Sequence, residues 1–200
     1  QNGIAHFMEH MAFKGTNRRT ALQIAETIED VGGYINAYTS RDTTAYYSRV
    51  LAGDVPLALD VLGDILLHPS LDEAEVETER GVILQEIGQA LDTPDDIIFD
   101  WLQEIAYPNQ PMGRSILGTD NHVRSFKRDD LSGFIGRHYS PDRIVLAAAG
   151  AVEHDKIVRQ AEQMFAHTSS LPAPDVAPAI FSGGEHRMVK DLEQAHVSLC

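Results

Sequence analysis

Cysteine is almost absent from this chain. Its one thiol, Cys200, is the last residue, so neither a disulfide framework nor a cysteine-based metal site can be built. Cations are scarce as well: 16 Lys and Arg stand against 30 Asp and Glu, for a formal net charge of −14. Phosphate contacts rest on Lys and Arg, so such a chain is a poor nucleic-acid binder; a basic partner or substrate suits it better. Long apolar runs are lacking too. The longest, Ile144 to Val152, has nine residues including a glycine, half of the roughly 18 that a membrane span needs. Neither end reads as a natural terminus, because the chain opens on Gln1 and stops inside the apolar stretch Ala195 to Cys200. A fragment is expected, and a missing leader leaves bacterial cytoplasm, periplasm and mitochondrial matrix all open.

What is present suffices for a core, since 200 residues that are 43% apolar can bury one or two. The acidity is unevenly placed: Asp72 to Glu104 holds eleven acids and one base, Arg80, a net of −10. Those acids are either the solvated faces of two helices or an attraction for a basic substrate.

Apolar residues Ile4, Phe7, Met8, Met11 and Ala12 recur at the spacing of one helical stripe. Further helices are expected over 21–31, started by a Thr20/Gln23 capping box, from Asp54 to before Pro69, from about Leu71 to Leu91, from Pro94 to Ala106, near 129–137 and over 155–165. Tyr34 to Thr39 and Thr44 to Leu51 read as a β-hairpin around a polar turn, with further strands at 143–151, 186–189 and 195–200. Without strict βαβ alternation, this implies an α+β fold, helices packed on one face of a largely antiparallel sheet. Residues 1–165 are expected to form one domain core, 166–184 a loop or linker, and 185–200 strands continuing the same half.

On the first helix, His6, Glu9 and His10 lie away from the apolar stripe, so packing does not require them. Imidazoles four residues apart can hold one ion. Zinc takes such nitrogens at about 2.0–2.1 Å, and a hydrolytic site adds one more protein ligand and keeps a position for water. A carboxylate that does not bind the metal can then take the water's proton. H-x-x-E-H inverts the H-E-x-x-H order of other zinc-protease helices, but five residues alone match by chance on many surface helices.

The stretch Gly3-Ile4-Ala5-His6-Phe7-Met8-Glu9-His10-Met11-Ala12-Phe13-Lys14-Gly15-Thr16 resembles the pitrilysin and mitochondrial-processing-peptidase family, the inverzincins. The likeness continues through Gly32 to Tyr47, Glu79 to Glu86, Gly113 to Gly118 and Tyr139-Ser140-Pro141, essentially the whole chain. It implies a zinc metalloendopeptidase with His6, His10 and Glu86 as ligands and Glu9 as catalytic base; Glu86 stands 76 residues after His10. Glu79, two helical turns before Glu86, is implied as support that orients a ligand or the site water, the alternative being a solvent-exposed acid. Asn36 and Ala37 match the strand whose edge pairs with an extended substrate in that family. Asp96 and Asp100 match acids that receive a substrate arginine near the cleavage point, although helix-start acids that favour the dipole account for Asp96 equally.

The resemblance also implies a partner: a second half of the chain, or a homo- or heterodimer, closing over a peptide or unfolded-protein substrate. Two other readings stay open, a non-catalytic structural or partner subunit and a peptide-binding module of the same fold.

Overall fold

A computed structural model describes residues 2–166, 168 and 177–200. The first stripe forms helix α1, Ile4–Ala12, with Ile4, Phe7, Met8, Met11 and Ala12 all buried. Its entry turns on Gly3, whose φ of 92° is left-handed and where a Cβ would lie 2.7 Å from the Leu117 carbonyl oxygen. Only glycine tolerates that conformation and that approach. Asn2 Nδ2 adds a 2.7 Å bond to the Ser115 carbonyl, so the start of α1 is seated on residues 115–118.

Helix α2, Ala21–Glu29, begins with the expected capping box: Thr20 accepts from the Gln23 amide and Gln23 accepts from the Thr20 amide. Strands β1, Tyr34–Thr39, and β2, Thr44–Arg49, pair antiparallel from Tyr34↔Arg49 to Thr39↔Thr44. Helix α3, Val55–Leu67, starts with proline in its first turn. The Asp72 carboxylate caps α4, Glu73–Asp92, by accepting from the Ala74 and Glu75 amides. Helix α5, Pro94–Ala106, follows at once.

A short helix α6, Asp120–Ser125, which none of the expected elements covers, lies ahead of α7. It is held from both ends: the Thr119 hydroxyl accepts from the His122 amide at 3.3 Å, and Arg80 donates to the Val123 and Phe126 carbonyls. This use of Arg80 explains the single base within an acidic helix, because the last carbonyls of a helix otherwise lack partners. Helices α7, Arg128–His138, and α8, His154–Phe165, complete the α-helices among the described residues.

Helix α1 contributes to two cores. On one side Ile4, Phe7, Met8 and Met11 pack with Val76 and Ile83 of α4, Val123, Phe126 and Leu131. On the other, Ala12 joins Ile24 and Ile28 of α2 and Ala58, Val61 and Ile65 of α3, against which Ile35 and Tyr46 of the sheet pack. The result is the α+β class, with helices packed against an antiparallel sheet and the polar face of α1 left to chemistry. Phe7 is 0% exposed, and Phe7→Ala is expected to cost about 3–5 kcal/mol of stability, measured by denaturant unfolding.

The strands expected at 143–151, 186–189 and 195–200 are not formed; among the described residues the only sheet is β1–β2. These runs have the apolar composition of strands but no ladder to receive their amides and carbonyls, and side chains such as Val145 and Val197 stand 91% and 81% exposed. The linker expected over 166–184 lies partly outside the described residues. No helix among the described residues is long and apolar enough to cross a membrane.

Candidate metal centre

Helix α1 presents His6 and His10 on one face, and α4 crosses it to bring Glu79 and Glu86 opposite, as their two-turn spacing allows. Glu86 Oε2 lies 3.7 Å from His6 Nε2 and 3.6 Å from His10 Nε2. One ligand atom from each of the three residues falls within 4.8 Å of the others. Ligands about 2.0–2.1 Å from a tetrahedral ion stand about 3.3–3.5 Å apart, close to what the apposed side chains already show.

The chemistry of these atoms suits a cation. His10 Nδ1 meets Glu79 Oε2 at 2.9 Å, so Nδ1 donates to the carboxylate and Nε2 is the ring atom turned towards Glu86. Glu86 Oε2 is buried with no hydrogen-bond partner. Burial, reinforced by the neighbouring His10, lowers the His6 pKa from 6.5 to about 4, so His6 is a neutral ring at neutral pH. Two imidazole nitrogens and a carboxylate oxygen thus face one point, a donor set that suits a metal ion.

Glu79 is 3% exposed. Its burial acts to raise its pKa, but bonds from Lys14 and His10 outweigh that and hold it below the usual carboxylate range. Lys14 Nζ approaches Glu79 Oε1 at 2.6 Å, while Oε2 holds His10. Of the eleven acids from Asp72 to Glu104, Glu79 alone is buried; the solvated-face reading therefore describes most of them, including Asp96.

Glu9 is held differently. The Thr39 hydroxyl, at the end of β1, donates to Glu9 Oε2 at 2.5 Å, with the Thr44 hydroxyl 3.3 Å beyond. Behind them the Tyr46 and Tyr139 hydroxyls lie 3.0 Å apart. Burial and the charge of Glu9 push the Tyr139 pKa up to about 12 and that of Tyr46 up as well, so both tyrosines are neutral phenols at neutral pH. Tyr46 packs against the second core and also hydrogen-bonds beside the site.

Of the remaining expected residues, Asn36 is exposed on β1, where its Oδ1 accepts from the Ala37 amide at 2.8 Å. Asp96 is exposed in the first turn of α5, and Asp100 is half-buried against Arg41 of the hairpin turn, 2.7 Å away. Lys14 and Thr39 are the participants that sequence reasoning missed. Lys14 follows His10 by four residues, and that spacing was the available signal; for Thr39 the sequence carried none beyond its place in the β1 motif.

Fold and site together define a chain built around an H-x-x-E-H helix whose two histidines and a glutamate from α4 form a cluster that could hold a metal ion. Residues 1–120 match the family model described as insulinase (peptidase family M16), and residues 125–200 match the M16 inactive domain. The chain belongs to this family of pitrilysin-type, or inverzincin, zinc metallopeptidases. It is 43% identical over 206 residues to the mitochondrial-processing peptidase subunit beta of Saccharomyces cerevisiae, covering 99% of this chain and 44% of that one. It is 43% identical over 199 residues to an uncharacterized zinc protease of Rickettsia bellii, covering 100% and 48%. The crystal structure of a protease from Helicobacter pylori superposes with a TM-score of 0.81 over 90% of this chain and 44% of that one, at 23% identity, which shows the shared fold. The chain spans about half the length of these relatives.

Proposed function

We propose that this chain carries the catalytic centre of a zinc metalloendopeptidase that cleaves extended peptides or presequences. His6, His10 and Glu86 would hold zinc, and Glu9 would serve as general base. The observation that supports this most is the convergence of His6 Nε2, His10 Nε2 and Glu86 Oε2, which has no hydrogen-bond partner, while Glu9 of the same helix stands outside that cluster and is bonded by Thr39. When bound, zinc supplies Lewis acidity, lowering a water's pKa towards about 7 and polarising a carbonyl.

The chain's own residues do the rest. Glu9 takes a proton from water as its oxygen bonds to the scissile carbon, then delivers that proton to the amine as the C–N bond breaks. Thr39 occupies Glu9 Oε2 and leaves the other oxygen for this transfer. Glu79 fixes the tautomer of His10. An extended substrate would add to the open edge of β1 at Asn36 and Ala37. A basic side chain would meet Asp96 and share Asp100 with Arg41. By its name the yeast relative is one subunit of a processing peptidase, which favours a partner subunit or a second half that closes over the substrate.

The test is zinc content together with cleavage of an arginine-containing peptide by the full-length protein. About one zinc per site with cleavage supports the reading. Zinc without cleavage points to a peptide-binding module, and absence of zinc to a structural subunit. Thr39→Val is expected to lower kcat by about 10–100-fold, the worth of one hydrogen bond to a charged group, with zinc binding unchanged. Thr39→Ser should restore most of the rate in the same steady-state assay.

A further inference from the structure

The two imidazoles are not supported alike. His6 Nδ1 is buried with no hydrogen-bond partner, whereas His10 Nδ1 is bound by Glu79 at 2.9 Å. The orientation of one ring is therefore fixed from outside the metal set, and whatever fixes Glu79 fixes that ring. A carboxylate bound through one oxygen still rotates about its own axis. Glu79 is bound through both: Oε2 to His10, and Oε1 to Lys14 Nζ at 2.6 Å.

Lys14 reaches this carboxylate because of how α1 ends. The Phe13 amide bonds to the His10 carbonyl at 3.2 Å and the Lys14 amide to the Met11 carbonyl at 3.1 Å, so the last turn tightens and carries Lys14 round to the side of His10. Helix α1 and the turn that follows it thus grip Glu79 of α4 at two points, His10 and Lys14, four residues apart. The Glu79 side chain is 4% exposed and that of Lys14 32%, so solvent cannot readily substitute for the ammonium at Oε1.

We propose that Lys14 is a positioning residue for the metal centre, acting through Glu79 to hold the His10 ring with Nε2 aimed at the metal. The proposal rests on His6, His10 and Glu86 being the zinc ligands. Outer partners of a ligand control metal affinity by about 10–100-fold. That range is the effect expected here, and it should pass entirely through Glu79.

The experiment is a double-mutant cycle read as zinc affinity, by competition with a chelator, on full-length protein: wild type, Lys14→Met, Glu79→Gln, and both together. Lys14→Met is expected to weaken zinc binding by about 10–100-fold, Lys14→Arg to recover it to within about threefold, and the double variant to bind as Glu79→Gln alone. Melting of the metal-free proteins is measured alongside, because a merely structural lysine would lower that temperature and leave the zinc coupling with Glu79 at nothing. Wild-type affinity in Lys14→Met overturns the proposal, as does full additivity with Glu79→Gln. A rise in KM for substrate with zinc binding unchanged overturns it too and makes Lys14 a substrate contact. Wild type that binds no zinc removes the ligand assignment itself, a result distinct from all of these.

Discussion

Full-length protein carrying Glu9→Gln is expected to bind zinc as wild type does and to turn over peptide about 10²–10⁴-fold more slowly, the range that a positioned general base contributes. Glutamine keeps the shape of the side chain, and its amide oxygen can still accept from the Thr39 hydroxyl that binds Glu9 at 2.5 Å. What it loses is the capacity to take a proton. The loss therefore falls in kcat, with KM little changed, because substrate would meet β1 and α5 rather than Glu9. In free energy this is about 2.7–5.4 kcal/mol of transition-state stabilisation. The paired measurements are zinc stoichiometry and steady-state kinetics on a basic peptide. A variant that keeps the wild-type rate removes Glu9 from the chemistry, and one that loses zinc assigns it to the metal set instead.

How much of this was legible in the sequence follows the range of the forces involved. Helix α1 and the chemical face it offers are set by spacing within nine residues, and the stripe Ile4 to Ala12 is buried as the pattern requires. The capping box of α2 and the β1–β2 hairpin are equally local. Glu86 is not: nothing periodic joins it to His10, and it was found only through likeness to a family. The clamp on Glu79 and the bond from Thr39 to Glu9 depend on α4 and the hairpin being folded against α1, which no local pattern encodes.

The strands expected at 143–151 and beyond show the opposite failure. Their alternating or apolar composition is a local signal, but a strand exists only where a second backbone receives its hydrogen bonds. The acidic stretch teaches a related lesson. Its net charge of −10 is visible at once, yet charge alone could not distinguish Glu79, locked under α1, from Asp96 in solvent or from Asp100, whose charge is taken up by Arg41. Burial sorts them, and burial is a property of the packed structure.

Glu86→Gln should move two measurements in opposite directions. Zinc affinity is expected to fall by more than the roughly 100-fold that outer partners command, since the only anionic ligand of the set becomes neutral, and activity should fall with it. The stability gained on adding zinc, which grows as the logarithm of its concentration over Kd, would shrink accordingly. The metal-free protein is expected to behave otherwise. There the buried Glu86 Oε2 has no hydrogen-bond partner and faces the Nε2 atoms of His6 and His10 at 3.7 and 3.6 Å. A glutamine amide keeps the shape of the side chain and can donate as well as accept at that unpartnered position, so the melting temperature without metal should hold or rise. A residue that served only as a strut between α4 and α1 would show no such reversal: its replacement would destabilise the protein with and without metal alike. Thermal unfolding in chelator and in excess zinc, with wild type and Glu86→Gln side by side, therefore separates a ligand from a structural acid without requiring the chain to be active.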